Sequence, residues 1–392
     1  MRAAIFSDTY PPEINGVATS ARNLYHTFVD HGDKMLVVTT NPYNTEISYE
    51  KDILRIPGVE MKKLYGYRVA GLYNKDAMKI IREFQPEVIH IQTDAGVGQF
   101  GFIASNLLHC ASVYTFHTMM EDYTYYATRG FILDRAAKGL VRGYVRYKSR
   151  SADEFITPSE KIKEYMRSIG VDAYMNVIPT GIDFSAFKKE NINQDVVNSL
   201  KRKYGIGKDN YVILSLGRVA KEKSIDVCLR GYAKFLKDNP DSKTIFLVVG
   251  GGPALKELQE LSHSLGINEK VVFAGPVNPD DVPYYYQLGN CFVSASITET
   301  QGLTFMEAMA SSLVLLARYD DTLLGTIKDG ENGYFFLDED DFGKKLEGII
   351  ALSPTKSKSI KENAIKGLEP YSLERFYESV HEVYERAIKK NW

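Results

Sequence analysis

Short apolar runs of strand-forming residues alternate with helix-patterned stretches along this 392-residue chain, and the alternation happens twice. No other feature restricts the fold as strongly. In the first half the strand-like runs are Ala3 to Phe6, Met35 to Thr40, Val88 to Gln92, Val113 to Phe116 and Glu154 to Thr157. Helical stretches such as Val17 to Asp30 and Asp76 to Phe84 separate them. That succession predicts a parallel sheet with helices on both faces. A second series follows at Val212 to Leu216, Ile245 to Val249, Val271 to Ala274, Cys291 to Ser294 and Leu313 to Leu316. The simplest architecture is α/β, with two Rossmann-like doubly wound domains facing a central cleft. The expected boundaries are 1–187 and 188–370, with a helix over 371–392 crossing back to the first domain. Lys188 to Lys208 is polar and reads as the connecting segment, with a helix possible over Asp195 to Tyr204.

Composition excludes several classes. The chain is 44% hydrophobic and 25% charged, the balance of a soluble globular protein, and its length is enough for two domains. A formal net charge of −2 gives no general attraction to nucleic acid. Cys110, Cys228 and Cys291 are scattered and lack C-x-x-C spacing, so neither a disulfide framework nor a zinc site is expected. The start is too short and too soon polar for a signal peptide, and no apolar run is long enough to span a bilayer. A cytoplasmic protein is expected.

The chemistry concentrates where strands meet helices. Glu299-Thr-Gln-Gly-Leu-Thr-Phe-Met-Glu307 runs from an apolar strand into a helix opened by Gly302. Backbone N–H groups at such a helix start bind anions, and Thr300, Gln301 and Leu303 are placed to present theirs to a diphosphate. Free carboxylates at Glu299 and Glu307 would repel a phosphate, so they would have to face something neutral and hydroxyl-rich, a sugar or a ribose. The plain alternative is a solvated acid before a helix and an exposed acid on it. Upstream, the strand ending at Leu216 gives way to Gly217-Arg218-Val-Ala-Lys221-Glu-Lys223, which sets a guanidinium and ammonium groups at the sheet edge where open α/β proteins bind ligands. Arg218 offers a planar fork for phosphate oxygens and Lys223 a compact charge, while Lys221 reads as a solvated turn.

Glycines mark further approaches of backbone to ligand. Gly250-Gly251-Gly252-Pro253 joins a strand to a helix, as any tight turn of this kind does. Asn15-Gly16 ends the loop after the first strand, so Gly16 can border a second ligand. No G-x-G-x-x-G follows that strand and no G-x-x-x-x-G-K-[ST] occurs, which counts against dehydrogenase and P-loop readings. His117 lies just past a first-domain strand, ahead of Glu121-Asp122. It is either a structural histidine or a contact to a sugar hydroxyl that helps with charge at the reacting centre.

Taken together, the E-x7-E motif from Glu299 to Glu307 and the G-R-x-x-x-x-K loop from Gly217 to Lys223 resemble the retaining glycosyltransferases of family 4, with the GT-B fold. The resemblance covers nearly the whole chain. It implies that Arg218 and Lys223 hold the donor diphosphate, Glu307 the ribose hydroxyls and Glu299 the transferred sugar. It also implies that backbone around Gly275-Pro-Val277 meets the base, and that Gly16 borders the phosphates and the acceptor. Neither a metal nor another cofactor is implied, since helix ends and basic side chains neutralise the leaving diphosphate. The chain departs from the family pattern after Glu307, where Ser311-Ser312-Leu313 and Tyr319-Asp320-Asp321 replace a Gly-x-Pro and a glycine-rich loop.

The acceptor is addressed by residues 123–150. Tyr123, Tyr125, Tyr126 and Phe131 lead into a helical pattern with Arg135, Lys138, Arg142 and Arg146 at three- and four-residue spacings, then Lys148 and Arg150. A basic stripe beside aromatic and aliphatic residues suits a helix lying on an anionic membrane, whereas a solvated face usually mixes signs. Lys62, Lys63, Tyr65, Tyr67 and Arg68 offer a second contact. The run from His117 to Tyr126, with Ala317-Arg-Tyr-Asp-Asp321, resembles the branch of the family that glucosylates diacylglycerol. The resemblance implies transfer of glucose from UDP-glucose to the 3-hydroxyl of 1,2-diacylglycerol, by an enzyme attached peripherally to the inner face of the membrane. A family member acting on a glycolipid, polyprenyl-linked or soluble acceptor is the alternative. A non-catalytic sugar-nucleotide or membrane-binding protein fits less well, since Glu299, Glu307, Arg218 and Lys223 are all present.

Overall fold

A computed structural model of the chain describes residues 1–13, 15–60, 68–117, 131–296, 299 and 301–391, without the side chains of 131–138 and 322. The chain divides into two units, Met1–Gly181 with Leu373–Trp392, and Ile182–Ser372. The division falls ahead of the expected 187/188 boundary. The reason is visible in packing: Phe187 and Ile192 are buried in the core of the second unit together with Val197. Val197 lies on the helix Gln194–Lys203, so the polar stretch read as a connection is part of that unit.

In the first unit the strands are β1 (Arg2–Ser7), β2 (Lys34–Thr40), β3 (Ser48–Glu50), β4 (Ile53–Ile56), β5 (Gly58–Glu60), β6 (Arg68–Ala70), β7 (Val88–Ile91), β8 (Ala111–Thr115), β9 (Glu154–Thr157) and β10 (Asn176–Val177). Eight of them form one sheet in the order β10-β9-β8-β7-β1-β2-β4-β3. All of its pairs are parallel except β3 with β4. The central strands read as continuous apolar runs because both faces are covered: β1, β7 and β8 are buried almost end to end. The helix Gly96–Leu108 lies over β7 and β1 on one side. The helices Gly16–Asp30 and Leu373–Lys390 lie on the other, in a cluster that joins Ala3, Ile5 and Val88 to Phe28, Phe376, Val380, Val383 and Tyr384. The chain's last helix is therefore part of one core face, although the whole second unit intervenes in sequence.

The second unit holds β11 (Tyr211–Leu216), β12 (Thr244–Val249), β13 (Val271–Gly275), β14 (Cys291–Ser294), β15 (Val314–Arg318) and β16 (Tyr334–Phe336). They form a fully parallel sheet in the order β13-β12-β11-β14-β15-β16. Two strands, β12 and β13, build outward from β11 in one direction and three, β14, β15 and β16, in the other. The reversal between β11 and β14 opens a crevice at their carboxyl ends, the place where doubly wound sheets bind ligands. Each face is filled by its own cluster, one around Phe292, Phe305 and Tyr286 and the other around Phe246, Tyr232 and Phe342. Among the described residues, no helix is long and apolar enough to cross a membrane.

The last helix supplies a test of this packing. Val383 is 1% exposed and surrounded by apolar side chains. Val383→Asp puts an unpaired carboxylate there and should cost roughly 4 kcal/mol or more. Hydrogen exchange should show lost protection in β1, β7 and β8 with β11 and β12 unaffected. Equal loss in both sets would contradict the division into units.

Candidate functional site

In the second unit the loops after β11, β12 and β13 are laced together by main-chain hydrogen bonds. Gly217 N–H donates to Val249 O (3.0 Å), Val219 N–H to Gly251 O (2.9 Å) and Gly250 N–H to Gly275 O (2.9 Å). The lacing needs glycine at Gly250: its φ is +139°, and a Cβ there would stand 1.8 Å from Gly217 O. The loop that carries Arg218 is thus fixed by its neighbours before any side chain acts.

Two cations, Arg218 and Lys223, and three carboxylates, Glu222, Glu299 and Glu307, are carried by the segments that follow β11 and β14. Lys223 closes a short 3₁₀ turn, Lys221–Lys223, and its Nζ donates to Glu299 Oε1 at 2.7 Å. Both side chains are largely buried. Burial by itself would raise the Glu299 carboxyl. The charge and hydrogen bond of Lys223, helped by the nearby Ser296 hydroxyl, outweigh it and hold Glu299 below the usual carboxylate range. Arg218 pairs with Glu222 one turn along. Glu307 Oε2 accepts from Tyr286 Oη at 2.7 Å. Here no cation offsets burial, and the carboxyl is pushed up to about 7 in spite of the tyrosine.

The helix Leu303–Ala310 starts at the same edge, one loop beyond β14. Gly302, with φ +80°, is its N-cap and brings no side chain to cover the first-turn N–H groups. A Cβ on Gly302 would meet Leu323 Cδ2 at 3.0 Å. Leu303 is half-buried, and the Gln301 amide is turned inward to Met306 Sδ at 3.7 Å. Val277, after β13, packs against the core of this unit. Thr300 lies outside the described residues. The arrangement can hold a diphosphate between cations and helix start, with carboxylates beside it for hydroxyls.

One expectation changes in detail. Glu299 does not stand as an unpaired acid awaiting a neutral partner; a largely buried carboxylate lowers its free energy by taking the nearest ammonium, that of Lys223. Sequence reading also passed over Tyr286, Ser296 and Glu222. Tyr286 sat in an aromatic tract, Tyr284-Tyr285-Tyr286, that carries no polar signal until its hydroxyl is seen on Glu307. Asp320 is buried, and its charge opposes ionisation of Glu299.

In the first unit, Gly16 is exposed at the first turn of Gly16–Asp30, where the N-cap Asn15 side chain accepts from Ala18 N–H at 2.9 Å. His117 follows β8, with its Nε2 on the amide oxygen of Gln92 just past β7. Burial pushes its imidazole down to about 4, so it is neutral near pH 7. On the helix Phe131–Ser151, Arg142 and Arg146 are exposed, and Leu140 and Tyr147 share that outward side at 77% and 66% exposure. Lys148 turns the other way and sets its ammonium 4.0 Å from the centre of the Phe102 ring. Arg150 is held by Asp172 at 2.9 Å. The side chains of Arg135 and Lys138 lie outside the described residues, as do Glu121, Asp122, the tyrosines 123–126 and residues 61–67.

Comparison with known proteins agrees with this geometry. The glycosyltransferase family 4 profile matches residues 14–186, and that of glycosyl transferases group 1 matches residues 196–367. The chain is 34% identical to the α-monoglucosyldiacylglycerol synthase of Acholeplasma laidlawii, over 100% of this chain and 98% of that protein. It is 33% identical to the protein of the same name from Streptococcus pneumoniae, over 100% and 87%. Among solved structures, Anabaena HepE in complex with UDP and glucose superposes with a TM-score of 0.73 at 16% identity, covering 98% of this chain and 99% of that one.

The state of Glu307 predicts a pH dependence. Its folded value near 7 lies above its ordinary 4.5, so the folded protein holds this proton where the unfolded chain has lost it. The resulting stability is fully present below about pH 4.5 and is lost as pH rises through about 7. Glu307→Gln keeps a neutral acceptor for Tyr286 and removes the titration. Urea melts should therefore show the variant gaining on the parent by about 2 kcal/mol between pH 5 and pH 8. Parallel pH curves would mean that Glu307 ionises alike in both states.

Proposed function

This chain belongs to glycosyltransferase family 4, and from that premise we propose that it moves glucose from UDP-glucose to the 3-hydroxyl of a 1,2-diacylglycerol, with retention at the anomeric carbon. The observation that carries the reading is the cluster at the carboxyl edge of the second unit, where Lys223, Arg218, Glu299 and Glu307 gather beside an uncapped helix start. The full-length relatives named as α-monoglucosyldiacylglycerol synthases support the acceptor. The UDP and glucose held by HepE, on the same fold, support the donor.

In this reading the diphosphate takes Lys223 and Arg218 as its counter-ions, and the N–H groups at Gln301 to Leu303 complete its shell. Lys223 leaves Glu299 to do so, and Glu299 then accepts from hydroxyls of the transferred glucose. Glu307 takes the ribose hydroxyls. Charge on the departing UDP is met by side-chain cations and backbone, so no metal is required. Glu299 positions the sugar and steadies developing positive charge, and the departing phosphate helps to take the acceptor proton. We assign His117 a contact with a substrate hydroxyl.

The acceptor sits in a membrane, and we assign the contact to the outward side of Phe131–Ser151. Arg142 and Arg146 there are exposed beside Leu140 and Tyr147, the mixture of cation, aliphatic and aromatic groups that an anionic bilayer surface retains. The enzyme would then work at the cytoplasmic face as a peripheral protein.

Two experiments test the proposal. Lys223→Ala and Arg218→Ala, assayed with UDP-glucose and diacylglycerol in anionic micelles, should each lower kcat/KM about 100-fold, the roughly 3 kcal/mol typical of a lost electrostatic donor. Near-parental turnover in both would remove the donor site. For the membrane, replacing Arg135, Lys138, Arg142 and Arg146 together by Gln should weaken binding to phosphatidylglycerol-containing vesicles at roughly 1 kcal/mol per residue, while UDP binding is kept. Undiminished vesicle binding would turn the stripe into a solvated face and favour a soluble acceptor.

A further inference from the structure

Behind His117 lies a buried chain of polar side chains that the donor site does not use. His90, on β7, is 1% exposed, and Gln92, just past that strand, is 2% exposed. His90 Nδ1 lies 2.7 Å from Tyr384 Oη on the C-terminal helix. Its Nε2 lies 2.6 Å from Thr115 Oγ1 and 3.0 Å from Gln92 Nε2. The other end of the Gln92 amide, Oε1, is bonded to His117 Nε2. The His90 imidazole, on β7, thus bonds to β8, to the loop beyond β7 and to the last helix, and that loop passes the contact on to His117 beyond β8.

The protons in this chain follow from its chemistry. Burial pushes His90 down to about 3 and His117 down to about 4, so each ring is neutral near pH 7 and carries one proton. His90 Nε2 faces two groups able to donate, the Thr115 hydroxyl and the Gln92 NH₂, and it accepts. Its proton is then on Nδ1 and goes to Tyr384 Oη. With NH₂ committed to His90, Gln92 can offer His117 only its carbonyl oxygen, and His117 Nε2 must be the donor. We infer that Gln92, locked by His90, Thr115 and Tyr384, is a positioning residue that fixes His117 as the Nε2–H tautomer and so presents Nδ1 as the atom that accepts from a substrate hydroxyl. Gln92 is buried and acts through His117. The last helix thereby contributes to the site through one hydroxyl at its buried face.

This inference rests on the role given to His117 in the proposed transfer, and the experiment separates the two. Two-bond ¹H–¹⁵N correlation spectra of the full chain, labelled at histidine and assigned with His117→Gln, should show His117 protonated at Nε2. Gln92→Leu removes the acceptor and should give a mixture of tautomers. It should also lower kcat about tenfold while KM for UDP-glucose stays within about twofold. A His117 that keeps a pure Nε2–H form in Gln92→Leu, with unchanged kcat, overturns the inference. Should that variant not fold, Gln92→Glu carries the test. Its carboxylate still accepts from Nε2–H and stabilises the imidazolium, so the His117 titration should move to higher pH, and an unmoved titration is the contrary result. Unchanged turnover in His117→Gln would instead remove the catalytic role of His117 and leave the tautomer assignment to stand on the spectra.

Discussion

Parallel pairing is the constraint on which the rest of this structure depends. Parallel strands cannot be joined by tight turns, so each is followed by a crossover, and the crossover helices cover both faces of the sheet. With both faces closed, polar side chains have little room except at the strand ends. Because every strand of the second sheet runs the same way, all its carboxyl ends share one edge, and the loops bearing Arg218, Gly250, Val277 and Glu299 are neighbours for that reason alone. The reversal of strand order between β11 and β14 then decides which two loops flank the opening. These are the loop with Arg218 and Lys223 and the loop with Glu299. The first sheet repeats the logic, with Gln92 and His117 leaving adjacent parallel strands at one edge.

The side chains at the second edge solve a problem that the fold creates. Largely buried ions need partners, and these take each other: Lys223 with Glu299, Arg218 with Glu222. Such pairs specify what can replace them. A ligand that brings only negative charge satisfies Lys223 and strands Glu299; one that brings only hydroxyls satisfies Glu299 and strands Lys223. A diphosphate joined to a sugar does both at once, exchanging one set of charge-assisted hydrogen bonds for another at little net electrostatic cost. Glu307 differs because its partner is a neutral tyrosine, and its carboxyl accordingly keeps its proton to higher pH.

How much of this could be read from the sequence follows from the same physics. The central strands were legible, since burial on both faces makes β1, β7, β8, β11, β12 and β14 continuous apolar runs. The short edge strands β3, β5, β6 and β16 were not, because three residues at a partly exposed edge carry neither a run nor a period. Glu299, Glu307, Arg218 and Lys223 were legible as types at strand–helix junctions. Their pairings were not: the Lys223–Glu299 bond joins residues 76 apart in sequence, and only the strand order brings them together. Lys148 misled as a member of a basic stripe. Its helical phase places it on the inner side with Val145, against Phe102.

The last helix shows how stability and chemistry come to share residues in such a chain. Its side chains Phe376, Val380, Val383 and Tyr384 close a core face that the first 181 residues leave open, so the unit is complete only when the chain has returned from the second unit. Three of these four are purely apolar and do nothing but pack. Tyr384 packs equally well, tilted against Phe28 and edge-on to His90, yet it carries an oxygen into a region where an unpaired polar atom would be costly. His90 meets that oxygen, Gln92 and Thr115 meet His90, and the sequence of obligations ends at His117 near the sheet edge. A buried hydroxyl that must be satisfied thus becomes a means of orienting a ring at the surface of the same core, which is why the far end of the polypeptide can bear on a residue at the end of β8.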